Sequence, residues 1–118
     1  MSGHNVGPSR VWLKNEDVPG LAMSRSLGDL VAESVGVIPT PDTKIYKRQL
    51  DQDKALVLCS DGVSEFLTNE QVAEIIDPFY EKNDTEGACR RLIEEATQTW
   101  LKEECVIDDI TAIVIFFH

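Results

Sequence analysis

The sequence predicts an α+β domain, a mostly antiparallel sheet with helices packed on one face. Two short apolar runs, 55–59 and 110–117, lack helical spacing and read as strands. Between them lie two segments with apolar residues three and four apart, which read as amphipathic helices. Strands, two helices, then a closing strand put the helices across one face of the sheet.

The elements follow in order. Val11-Trp12-Leu13 suits a strand, and the stretch 15–20 carries turn signals, with Pro19-Gly20 as its punctuation. Residues 21–27 are predicted to form one or two helical turns that Gly28-Asp29 ends or bends. Val35, Val37 and Ile38 form a second β-prone piece, stopped by Pro39 and Pro41. Residues 43–50 read as extended, and a polar turn over 51–54 makes them a hairpin with the strand that begins at Ala55. That strand is apolar on both faces and therefore predicted to be central, and 110–117 likewise to be packed on both faces.

Thr68 is placed to cap a helix, with Gln71 in capping-box position and Val72, Ile75, Ile76 and Phe79 on one face. Pro78 marks its last turn. Asp84 or Thr85 caps the next helix, whose stripe is Ala88, Leu92, Ala96 and Trp100, with Cys89 and Ile93 beside it. Gly87 weakens the first turn of that helix without an evident purpose.

A chain of 118 residues suits a single domain. Residues 1–9 read as a disordered polar tail, a clipped loop or an expression remnant, and 10–118 as the folded portion. The formal net charge of −10 repels polyanions and disfavours nucleic acid as a partner, while it lets divalent cations approach. Surface glutamates such as Glu94-Glu95 and Glu103-Glu104 account for much of that excess. Cys59, Cys89 and Cys105 are odd in number and widely spaced, which fits a reducing compartment, cytoplasm or nucleus, better than a disulfide framework. No apolar stretch reaches membrane-spanning length, so no membrane partner is expected. The histidines, His4 and His118, lie near the two ends, so Ser24, Ser26 and Ser60 lack a base for nucleophilic catalysis.

Chemistry concentrates in two acidic clusters where strands meet loops. Ser60-Asp61-Gly62 directly follows the first strand, and Asp108-Asp109 directly precedes the last. A strand fixes the aspartate, and glycine removes bulk beside a ligand. Mg2+ and Mn2+ prefer oxygen ligands and keep several waters, so one carboxylate per strand end suffices. A turn aspartate that caps its own loop accounts for Asp61 alone as well. Adjacent carboxylates at the mouth of a buried strand are costly without a cation or donors, which brings the metal reading of the two clusters level with the turn reading. Arg25 and Asp29 would form an ordinary i,i+4 ion pair on a helix, or Arg25 would brace a loop; phosphate binding by Arg25 is the weaker reading.

The residues 19–29 (PGLAMSRSLGD), 56–63 (LVLCSDGV) and 108–114 (DDITAIV) together resemble the metal-dependent serine/threonine protein phosphatases of the PP2C class. The similarity runs from about Arg10 to Phe117. It implies a partial β-sandwich of two antiparallel sheets with helices outside. It also implies that Asp61 and Asp108 are catalytic ligands of Mg2+ or Mn2+ in a two-metal site, with Asp29 as a further ligand. Gly62, Asp109, Arg25 and Gly28 support them, Asp109 standing where the family often has asparagine.

The family's phosphate-binding arginine and its Asp-Gly-His-Gly-Gly segment do not occur in this sequence. The resemblance therefore implies the C-terminal half of a catalytic domain. In the intact domain it implies hydrolysis of phosphoserine or phosphothreonine in a phosphoprotein substrate by a water held between two metal ions. The piece alone is expected to be inactive, and to expose apolar sheet surface that the missing N-terminal half or self-association would cover. The alternative is a catalytically inactive phosphatase-like scaffold that binds a protein partner.

Overall fold

The computed structural model describes residues 8–104 and 106–118. Most of the expected tail over 1–9, and Cys105, lie outside the described residues. The chain divides into two compact units, one up to Tyr46 and one from Lys47.

In the first unit, β1 (Val11–Trp12) pairs antiparallel with β2 (Pro19–Leu21), with an irregular step between Val11 and Trp12. Pro19-Gly20 is therefore part of a strand, not a turn. The reversal lies before it, where the Leu13 amide donates to the Val18 carbonyl at 2.7 Å and Asn15 takes φ 68°. Gly20 is needed twice over: it has φ +67°, and a Cβ there would lie 2.9 Å from the Trp12 ring.

The expected helix over 21–27 is also corrected. It forms after Gly28-Asp29, as the short α1 (Leu30–Glu33). Gly28 at φ +72° turns the chain, and the Asp29 carboxylate then accepts the Ala32 amide at 3.1 Å as an N-cap. Arg25 instead forms an isolated parallel bridge with Ile38, closed by the Ser26 amide on the Ile38 carbonyl at 3.2 Å. Among the described residues of this unit, Ala32 and Val37 are buried.

In the second unit, β3 (Ala55–Cys59) and β4 (Ala112–Phe116) pair antiparallel in unbroken register, from Ala55 opposite Phe116 to Cys59 opposite Ala112. The expected hairpin between 43–50 and β3 does not form. Residues 43–49 carry no strand, and a turn closes where the Gln49 amide donates to the Asp53 carboxylate at 2.7 Å. The strand β3 pairs with β4 along one edge, through five aligned apolar pairs.

Three helices follow β3: α2 (Asp61–Ser64), α3 (Asn69–Ile76) and α4 (Thr85–Glu103). The capping box at Thr68 and Gln71 is present in both directions, at 3.2 and 2.9 Å. A 3₁₀ turn over Asp77–Phe79 carries Pro78. Asp84, not Thr85, caps α4 through the Gly87 amide at 2.9 Å. This explains Gly87: any Cβ there would overlap the capping carboxylate and crowd Phe79.

The α4 stripe buries Ala88, Leu92 and Ala96 against α3 and the sheet. Val63, Leu67, Ile76 and Val114 complete this core, with Val57 and Ile75 touching both halves of it. Side chains alternate across a sheet. Val57 and Val114 therefore face the helices, while Leu56 (44% exposed), Leu58 (52%), Ile113 (52%) and Ile115 (41%) stand on the other face. The two strands are thus packed on one face, not on both as their composition predicts. Among the described residues the fold is mixed, with antiparallel sheets, helices packed alongside and no closed barrel, consistent with part of a two-sheet sandwich.

Leu92 is fully buried and Ile45 is 99% exposed. Leu92→Ala is expected to cost about 2–5 kcal/mol in urea unfolding, and Ile45→Ala less than about 0.5 kcal/mol.

Candidate functional site

Continuing the β3–β4 ladder past Cys59 brings the two acidic clusters to one end of the sheet. The Ser60 amide donates to the Thr111 carbonyl at 2.9 Å. The Ser60 hydroxyl works in both directions, accepting from the Thr111 amide at 3.0 Å and donating to the Asp109 carbonyl at 3.3 Å. Ser60 is therefore a clasp between the strand tips, a role its sequence position did not disclose.

Gly62 comes still closer. A Cβ at this position would overlap the Asp109 carbonyl oxygen and lie 3.0 Å from the Ile110 side chain. Gly62 is buried, so only a residue without a side chain lets the turn after β3 lie against the 108–110 loop. Asp61 opens α2 and is exposed; its carbonyl accepts the Glu65 amide at 2.9 Å. Asp108 is exposed and accepts the amide of Asp109 at 2.8 Å. The structure thus joins the Asp61-Gly62 turn to the Asp108-Asp109 loop through backbone contacts at Asp109.

Trp100, near the end of α4, joins the same place from the helix side. Its indole Nε1–H donates to the Gly62 carbonyl at 2.7 Å, and Phe66 meets its ring edge-on with centroids 4.7 Å apart. The helical stripe marked Trp100 only as packing; a bond across 38 residues has no local signature.

Arg25, Gly28 and Asp29 belong to the first unit and are described within it. The expected Arg25–Asp29 pair is absent. Arg25 instead pairs with Asp42 at 2.9 Å and donates to the Thr40 carbonyl at 2.8 Å, so it braces the loop. The helix that would have set the i,i+4 spacing does not form there. One oxygen of Asp29 is engaged by the α1 amide.

Exposed carboxylates at one sheet end match the oxygen-donor chemistry of Mg2+ and Mn2+, which hold several waters besides one or two carboxylates. Among the described residues no group of three or more His, Cys, Asp and Glu is arranged to hold a metal ion. An ion of that kind would need water or other groups besides these carboxylates. Gly62→Ala is expected to cost about 1–3 kcal/mol in urea unfolding and to shift the amide resonances of 108–111, because the overlap with Asp109 can be relieved only by moving that loop.

Comparison with known proteins identifies a family for this chain. Residues 6–103 match the family model for protein phosphatase 2C. The chain is 37% identical over 114 residues to probable protein phosphatase 2C 48 of Oryza sativa subsp. japonica, an alignment covering 95% of this chain and 31% of that protein. It is 39% identical over 108 residues to probable protein phosphatase 2C 61 of Arabidopsis thaliana, covering 90% and 32%. Its fold resembles that of serine-threonine phosphatase 2C from Toxoplasma gondii, with a TM-score of 0.71 at 22% identity over 83% of this chain and 30% of that one. The chain spans about a third of the length of these relatives.

Proposed function

The chain belongs to the protein phosphatase 2C family, and from that membership we propose that it is the C-terminal portion of a catalytic domain that hydrolyses phosphoserine and phosphothreonine in proteins. The observation that supports this best is the contact of the Asp61-Gly62 turn with the Asp109 backbone at neighbouring strand tips. Asp61 and Asp108 would hold Mg2+ or Mn2+. Asp109 presents its backbone to the Asp61 turn; Gly62 and Ser60 keep the two tips together, and Arg25 and Gly28 shape the segment that carries Asp29. Divalent ions of this kind neutralise charge on phosphoryl oxygens and provide a deprotonated water at neutral pH. The unpaired thiols of Cys59 and Cys89 suit a reducing compartment, cytoplasm or nucleus.

The share that this chain spans of its relatives suits an incomplete site. Without the family's Asp-Gly-His-Gly-Gly segment, the 118-residue chain alone would have negligible phosphatase activity. In calorimetric titration with Mn2+, the chain is expected to give a binding heat that Asp61→Ala removes. Equal heat from the variant would overturn the metal role of Asp61. Phosphopeptide turnover by a homogeneous sample of the chain would overturn the partial-site reading.

A second reading, a phosphatase-like scaffold without catalysis, draws on the apolar face of Leu56, Leu58, Ile113 and Ile115. That face would be covered by the rest of the catalytic domain, or by another copy when the chain is alone. Light scattering is expected to show concentration-dependent association of the chain that Leu58→Lys weakens. A compact monomer at high concentration would argue against it.

A further inference from the structure

The Asp61-Gly62 turn has an unusual mechanical problem. Gly62 must be glycine to clear the Asp109 carbonyl, yet glycine is the residue whose backbone is least restrained. The helix it belongs to, α2, has four residues, too few to hold itself rigid by its own hydrogen bonds. Orientation of its first residue, Asp61, has to come from outside the helix.

Two restraints come from the strand side, the Ser60 clasp and the Gly62–Asp109 contact. The third comes from α4. The Trp100 indole donates to the Gly62 carbonyl at 2.7 Å, its ring half-buried and steadied edge-on by Phe66. The peptide plane after Gly62 is thus held at both ends, its N–H by the Ser60 carbonyl at 3.0 Å and its carbonyl by Trp100. Trp100 is anchored in turn by a 19-residue helix whose Ala88, Leu92 and Ala96 are buried in the core. The restraint therefore reaches the turn from the most firmly packed helix of this unit.

From this geometry we infer that Trp100 is a positioning residue for Asp61, fixing through the Gly62 carbonyl the direction in which Asp61 presents its carboxylate to a divalent cation. The inference rests on the metal-binding role proposed for Asp61. It assigns no contact between Trp100 and the ion. It also separates two uses of α4: the alanine–leucine stripe supplies the core, and Trp100 extends that rigidity to the strand tip.

Trp100→Phe keeps an aromatic ring for Phe66 and removes the N–H. Thr68→Ala is the destabilised control, because it removes the α3 cap and leaves the Gly62 carbonyl bond in place. In calorimetric titration of the full chain with Mn2+, Trp100→Phe is expected to weaken binding about tenfold, and Thr68→Ala by less than about twofold. In the metal-free chain, hydrogen exchange at the Glu65 amide, which closes α2 on the Asp61 carbonyl, is expected to quicken in Trp100→Phe. Unchanged Mn2+ affinity in Trp100→Phe, or an equal loss in both variants, overturns the inference while the role of Asp61 stands. A wild-type chain that takes up no Mn2+ overturns the role of Asp61. The restraint on the turn is then decided by exchange at Glu65, and unchanged protection in Trp100→Phe overturns it.

Discussion

The approach of Gly62 to the Asp109 carbonyl is the constraint on which the candidate site depends. It requires the turn after β3 and the loop before β4 to lie against each other, which only the unbroken Ala55–Phe116 to Cys59–Ala112 register delivers. A slip of one residue would turn Val57 and Val114 away from the helices and move Ser60 off Thr111. The same register that buries the core thus sets the separation of the strand tips. Stability and site geometry are two consequences of one pairing.

The sheet divides its apolar residues unevenly. Val57 and Val114 lie under α3 and α4, and burial on that face supplies the driving force for this unit. Leu56, Leu58, Ile113 and Ile115 pair across the strands but keep two-fifths or more of their surface exposed. Continuous apolar strands are characteristic of sheets covered on both sides. A chain spanning about a third of its relatives carries the pattern of a two-sided sheet while covering one side.

The acidic end of the sheet illustrates how charge is tolerated. Asp61, Asp108 and Asp109 are all exposed, and two unit charges even 4 Å apart in water repel by only about 1 kcal/mol. The backbone beneath them is stitched together, by Ser60 on one side and Trp100 on the other. Water thus bears the cost of the carboxylates while hydrogen bonds and packing hold the framework that displays them.

Local rules sufficed for much of this architecture. Thr68 and Gln71 announce their capping box within four residues, the α4 stripe announces its buried face by spacing alone, and Asp61 and Asp108 are marked by their place at strand ends. The resemblance to the phosphatase family rested on short contiguous segments of the same kind. Tertiary structure decided what no local window contains. Pro19-Gly20 became a strand because Trp12 lies over Gly20, and Arg25 turned to Asp42 once helix formation moved past Gly28. Ser60 and Trp100 acquired their roles from partners 49 and 38 residues away. Propensity and spacing act over a few residues, whereas a hydrogen bond or an excluded Cβ depends on which distant segment the folded chain brings within about 3 Å.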